Sequence, residues 1–229
     1  LMAIGFALLM GFTLMENFRR PYFSKNISEF WRRWHISLSS WFRDYVFTPF
    51  YIYFQSLKCL NRFTYKTNHT ISFFIALLTT EFLLGLWHGA GWNYAIFGVY
   101  HALLIWIYYY TKKYWDRLNK YFQIFLTFQI ASIGWMIFRA SSINQAVTLF
   151  NHLFTSWSFT DPILLAVIGK FSLLFLFLII HEIIEELHEN RYVILIYPKF
   201  IQYFIFTIMV VLMMLFGQFG EKKFIYFQF

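Results

Sequence analysis

The sequence predicts an all-α integral membrane protein, with several spanning helices and interfacial or re-entrant helices around a central cavity. Three observations carry that expectation. Of the 229 residues, 59% are hydrophobic and 13% charged, against about a quarter charged in a soluble domain. Phe, Tyr and Trp supply 25%; a domain of this size cannot hide that much apolar surface, so lipid must cover part of it. The apolar residues also fall into runs close to the ~20 residues that a helix needs to cross a bilayer, with the basic residues gathered between the runs. A single cysteine, Cys59, excludes an internal disulfide framework and a multi-cysteine metal site.

Residues 1–16 hold the remains of a first span. The chain opens Leu1-Met2-Ala3 inside this run, without the charged start and cleavage site of a signal peptide. It therefore reads as the C-terminal half of a longer protein, one membrane-embedded domain over 1–229. Further spans are expected at 71–87, 92–111, 121–138, 163–181, with Lys170 inside it, and 200–217. Placing 17–70, 112–120 and 182–199 on the cytoplasmic side collects fifteen of the nineteen Lys and Arg there, the bias of the positive-inside rule. The net charge of +8 therefore orients a multi-pass protein in a lipid bilayer, the cell inner membrane, and marks no nucleic-acid surface.

The segment 17–55 is more than a loop. Asn26-Ile27-Ser28-Glu29 opens a helix, with Asn26 or Ser28 as cap and Glu29 in the first turn. Phe30, Trp34, Leu38, Trp41 and Tyr45 then recur at spacings of four, four, three and four, one apolar stripe on one helix. Glu29 and Arg33 stand a turn apart and can pair. Arg32 and Arg43 lie off the stripe, and Pro49 would end or kink the helix. On periodicity alone this is an amphipathic helix lying in the interface, anchored by Trp and Arg. Residues 142–155 read as a second such helix, whose Asn144, Gln145 and His152 are given no chemistry.

Two segments hold groups suited to chemistry. In Glu81-Phe82-Leu83-Leu84-Gly85-Leu86-Trp87-His88-Gly89-Ala90-Gly91-Trp92-Asn93, a histidine stands at the junction of two spans. Gly85, Gly89 and Gly91 allow close backbone approach or a helix break. Polar groups at membrane depth are costly and usually line a cavity. His88 is thus a candidate general base, a neutral imidazole beside a substrate hydroxyl; the alternative is a histidine bonded to a neighbouring helix. Glu81 either orients a partner or marks the end of its span, and the second is preferred. In Trp31-Arg32-Arg33-Trp34-His35-Ile36-Ser37, Trp31 and His35 are spaced to share a helix face. Imidazole with Trp and Arg can help hold an anionic or thioester-bearing donor, since guanidinium suits phosphate and carboxylate. A solvated interfacial cluster is the alternative. His101 reads as structural. His181 and Glu185 are spaced like metal ligands, but in a charged stretch just after a span, and no metal is expected. The zinc-protease, Walker, dinucleotide and nucleophile-elbow motifs do not occur.

Together the two segments resemble a known family. Ser28-Glu29-Phe30-Trp31-Arg32-Arg33-Trp34-His35-Ile36-Ser37-Leu38-Ser39-Ser40-Trp41-Phe42-Arg43-Asp44-Tyr45 resembles the signature segment of the membrane-bound O-acyltransferase (MBOAT) family. Gly85-Leu86-Trp87-His88-Gly89-Ala90-Gly91-Trp92-Asn93 resembles its catalytic-histidine segment, in the family's order. The bacterial branch that O-acetylates alginate and other exopolysaccharides is most similar, and the branch that passes D-alanine to teichoic acid is close behind. The ending Phe224-Ile225-Tyr226-Phe227-Gln228-Phe229 is similar to the polysaccharide branch too. That branch often carries a glycine-rich basic turn after Pro49, where this sequence departs with Phe50-Tyr51-Ile52-Tyr53-Phe54-Gln55.

The resemblance implies a multi-helix fold with a tunnel or funnel where donor and acceptor meet, with His88 catalytic and His35 the other motif histidine. It implies transfer of an acyl group, expected to be acetyl, from an acyl-CoA or acyl-carrier thioester, with no permanently bound cofactor. The acceptor would be a hydroxyl of a cell-surface polysaccharide or of a periplasmic or extracellular acyl-relay protein. Trp31, Arg32, Trp87 and Asn93 are the expected substrate-binding residues. The rival reading is a non-catalytic membrane subunit of a polysaccharide-secretion complex. It expects function to survive loss of His88 but not loss of the Phe30/Trp34/Leu38/Trp41 stripe.

Overall fold

The computed structural model describes residues 2–60, 63–155, 162–190 and 192–216. The aromatic ending 224–229, Lys222, Lys223 and the side chain of Lys170 lie outside the described residues. Among those described, every regular element is helical, and they fall into two compact units, Leu1–Phe154 and Thr155–Phe229.

The first unit opens with α1 (Met2–Leu9). It stops there, with Gly11 at φ 82 just beyond, so the apolar run 1–16 is a short helix followed by an extended strap and not one continuous piece of span. A 3-10 turn, Pro21–Phe23, leads into α2 (Ile27–Arg33). Asn26 caps α2 as expected, its Oδ1 accepting from the Glu29 N–H at 2.8 Å. Glu29 and Arg33 pair at 2.7 Å.

The stripe predicted as one helix from Phe30 to Tyr45 is broken. After α2 the chain turns at Trp34 and His35, where His35 sits at φ 45, and restarts as α3 (Ile36–Phe42). The cause is the strap. Asn17 accepts the Ile36 N–H on its carbonyl (2.9 Å), and the Ser37 N–H and hydroxyl on its side chain (2.9 and 2.7 Å). The Arg19 N–H donates to the Arg33 carbonyl at 2.8 Å. The helix ends exposed by the break are thus satisfied by a segment earlier in the chain, as orphan terminal groups require. The stripe is not one buried face either: Phe30 is buried, but Trp41 is 52% and Tyr45 69% exposed. A π-helical turn, Arg43–Phe47, carries α3 into α4 (Thr48–Ser56). Pro49 follows this π turn as the second residue of α4, and the helical chain runs on through it to Ser56 instead of ending there.

Two long helices follow, α5 (Tyr65–Trp87) and α6 (Trp92–Trp115), then α7 (Lys120–Arg139) and α8 (Ile143–Thr155). The span expected from residue 71 begins at Tyr65, because Thr64 caps it by accepting from the Thr67 N–H. α5 and α7 are long and apolar enough to cross a membrane. α6 has 24 residues, about 36 Å at 1.5 Å per residue; its tyrosines, Lys112 and Lys113 make it less apolar. α5 and α6 touch backbone to backbone. A Cβ on Gly98 would run into the Glu81 carbonyl, and one on Gly85 into the Tyr94 carbonyl. Ile27, Phe30, Trp31, Phe42, Leu84, Phe97 and Ala131 form the core where α2 meets α5, α6 and α7. α8 starts on a local cap, with the Gln145 side chain accepting the Ser141 N–H (2.6 Å) and hydroxyl (2.8 Å).

The second unit holds α9 (Pro162–Leu187), a 3-10 turn Val193–Ile196 and α10 (Lys199–Phe216). α10 is the third helix long and apolar enough to span. Gln202 ties it to the turn, donating to the carbonyls of Leu195 (3.3 Å) and Tyr197 (2.8 Å). His181 and Glu185 approach to 3.8 Å on α9.

Candidate active site

His88 is the residue on which α5 ends. Its N–H still bonds the Gly85 carbonyl at 3.0 Å, and Gly89, at φ 155, then turns the chain toward α6. An L side chain is strained at that angle, so the glycine fixes where the imidazole stands. The His88 ring is half-buried, at right angles to Trp87 (4.8 Å between centroids) and to Phe138 (5.0 Å). His35 arrives from the α2–α3 break. Its ring meets Trp87 edge-on at 6.1 Å and Phe18 at 5.7 Å. The Trp87 indole therefore touches both imidazoles.

The electrostatics agree with that neighbourhood. Burial pulls the His88 imidazole below the ordinary histidine range, and the proximity of His35 pulls it further. Burial also lowers His35, against a smaller opposing effect of a backbone hydrogen bond. Both rings thus favour the neutral form, the form a general base needs. His35 Nδ1 is buried and has no hydrogen-bond partner among the described residues.

The family model for the membrane-bound O-acyltransferases matches residues 1–147. The chain belongs to the MBOAT family. "Probable alginate O-acetylase AlgI" of Pseudomonas putida is 38% identical over 166 residues, covering 70% of this chain and 31% of that protein. "Teichoic acid D-alanyltransferase" of Bacillus subtilis is 37% identical over 145 residues, 59% of this chain and 35% of its own length. "Peptidoglycan O-acetyltransferase" of Helicobacter pylori is 31% identical over 150 residues, 64% of this chain and 26% of its own. The chain spans about a third of the length of the curated relatives it matches.

The remaining expected site residues of this MBOAT chain divide into two groups. Trp31 and Arg32 line a cavity of about 480 Å³ between α2, α3 and α5. His35, His88, Trp87 and Asn93 do not line it. Trp31 and His35, expected on one face, are parted by the helix break: Trp31 is buried with its ring 5.2 Å from His101, whereas His35 turns to Trp87. Ile36 and Leu84 of the cavity wall are the neighbours of His35 in sequence and of His88 one turn back along α5. Asn93 donates to the Phe138 carbonyl at 3.2 Å and so pins the residue whose ring rests on His88. That is a positioning contact. His101 is fully buried, its Nδ1 2.9 Å from the Phe97 carbonyl, which can only accept, so Nδ1 carries the proton.

Glu81 departs from the expectation that it marks the end of a span. It is 8% exposed, lies two turns inside α5, and lines the cavity with Trp31 and Arg32. The signal was present in the sequence: a lone acid inside an apolar run is a functional candidate by default. Asn17 and Phe138, which hold His35 and His88 in place, gave no such signal, because their contacts are long-range.

Proposed function

We propose that this chain carries the catalytic part of a membrane-bound O-acyltransferase. It moves an acyl group, acetyl in the leading reading, from a thioester donor to a hydroxyl of a cell-surface polysaccharide or of an extracytoplasmic relay protein. What supports this reading is the pair of half-buried, neutral-leaning imidazoles that both stand against Trp87, inside the segment matched by the family. His88 takes the proton of the incoming hydroxyl, the oxygen attacks the thioester carbonyl, and the thiolate leaves with a proton. His35 and Trp87 orient the reacting groups; Trp31 and Arg32 hold the donor side, and Asn93 keeps the Phe138 wall against His88. The donor is a coenzyme A or carrier-protein thioester that enters from the cytoplasm, consumed as substrate and not held as a cofactor. The protein would be a multi-pass protein of the cell inner membrane.

D-alanyl transfer toward teichoic acid is a second reading, favoured by the 37% identity to the Bacillus subtilis D-alanyltransferase. Mass spectrometry of surface glycans from cells with and without this gene separates the two. Loss of acetyl esters supports the leading reading, loss of alanyl esters the second. An unchanged ester profile would reject both in favour of a non-catalytic subunit.

A further inference from the structure

The cavity beside Trp31 contains two groups to which the histidine chemistry gives no task. Glu81 and Trp31 are each 8% exposed and line it, and Glu81 Oε2 and Trp31 Nε1 are buried without a hydrogen-bond partner among the described residues. Three hydroxyls in the same wall already donate, and that of Ser28 accepts from Arg32 (3.2 Å). Thr80 donates to the Ala76 carbonyl (2.7 Å), Ser39 to that of Trp34 (3.0 Å) and Ser40 to that of Ser37 (3.0 Å). Arg32 and Arg43 also line the cavity and are exposed; Arg43 is held by the Asp44 carboxylate (2.7 and 3.1 Å), whereas Arg32 donates only to the Ser28 hydroxyl (3.2 Å) among the described residues.

Two deep demands remain: an N–H that needs an acceptor and a carboxyl oxygen that needs a donor. Leaving either unmet in an apolar membrane protein is costly. The two groups come from different helices, Trp31 from α2 and Glu81 from α5. A secondary amide answers both at once, because its C=O and N–H point in opposite directions. Coenzyme A and carrier-protein thioesters both place such an amide a few bonds behind the sulfur, with an anionic phosphate further out. Glu81 precedes His88 by seven residues, about 10 Å along α5 at 1.5 Å per residue, so it stands away from the proposed base.

We propose that Glu81 and Trp31 clamp the amide of the donor's thioester arm: the indole N–H donates to its carbonyl, its N–H donates to the Glu81 carboxyl, and Arg32 receives the anionic end. The clamp makes these residues determinants of donor specificity. This rests on the acyl-transfer reading above.

The test compares two acetyl donors in membranes carrying the chain: the thioester of N-acetylcysteamine, and that of an alkanethiol of equal length whose amide is replaced by methylenes. Trp31→Phe keeps the ring and removes the N–H; Glu81→Leu removes the acceptor; Glu81→Gln retains an accepting oxygen. Losing one such hydrogen bond should raise KM for the amide donor by up to about tenfold. Trp31→Phe and Glu81→Leu are expected to raise KM for the amide donor more than KM for the alkyl donor, a change in the ratio of the two that a folding defect alone would not produce. Glu81→Gln should stay nearer the parent. Equal losses with both donors, or a parent indifferent to the amide, would overturn the clamp alone. No turnover of either donor by the parent membranes would overturn the acyl-transfer reading and the clamp with it.

Discussion

His35 meets two demands at once. Its imidazole stands edge-on to Trp87, and its backbone sits at φ 45, where a residue with a Cβ is strained by about 1–2 kcal/mol. His35→Gly and His35→Ala both remove the imidazole, but only the glycine variant is relieved of that strain. Thermal unfolding in detergent should therefore find His35→Gly the more stable, by roughly 1 kcal/mol; equal stability would mean that the turn is not strained. The pH dependence also belongs to single residues. Burial lowers both imidazoles from the ordinary 6.5. A base with a lowered value stays neutral, and active, to lower pH, so kcat/KM should rise with pH through a midpoint below 6.5 and not at it. Stability carries the matching sign. The unfolded chain takes up protons first as pH falls below 6.5, so stability declines from there down toward the lowered values. His88 was legible in the sequence because it joins two apolar runs and is followed by glycines. The left-handed turn at His35 was not, since Asn17, which sustains it, lies 18 residues upstream of His35.

At the scale of elements, the tight seam between α5 and α6 decides where the segment around His88 sits. A methyl on Gly98 would press on the Glu81 carbonyl and one on Gly85 on the Tyr94 carbonyl, and backbone atoms cannot rotate aside. Gly98→Ala and Gly85→Ala should each cost about 1–3 kcal/mol, the usual penalty of overpacking. Gly5→Ala is the control, because a Cβ there meets nothing within 4 Å. Thermal unfolding of the three variants checks this, and a Gly98→Ala variant as stable as Gly5→Ala would contradict the seam. The long helices were legible from apolar runs alone: α7 was expected at 121–138 and is found at Lys120–Arg139. The shorter elements were not. A four-residue periodicity cannot reveal that a strap from elsewhere in the chain cuts the stripe at Trp34, or that a π turn precedes Pro49.

For the whole molecule, the composition argument carries furthest. α10 is 6% buried over its apolar window and α7 22%, so much of their apolar surface is left for lipid. The chain should remain in the membrane through an alkaline carbonate wash; release into the supernatant would mean a peripheral attachment. The family likewise showed through two local segments, whereas the cavity did not, because its walls come from α2, α3 and α5, far apart in sequence. The decisive measurement is the rate of ester formation on a hydroxyl acceptor by membranes carrying His88→Ala, at equal expression and equal membrane insertion. Loss of a general base predicts a fall of about 10²–10⁴-fold. Transfer at the parent rate would show that His88 is not the base and that the chemistry lies elsewhere.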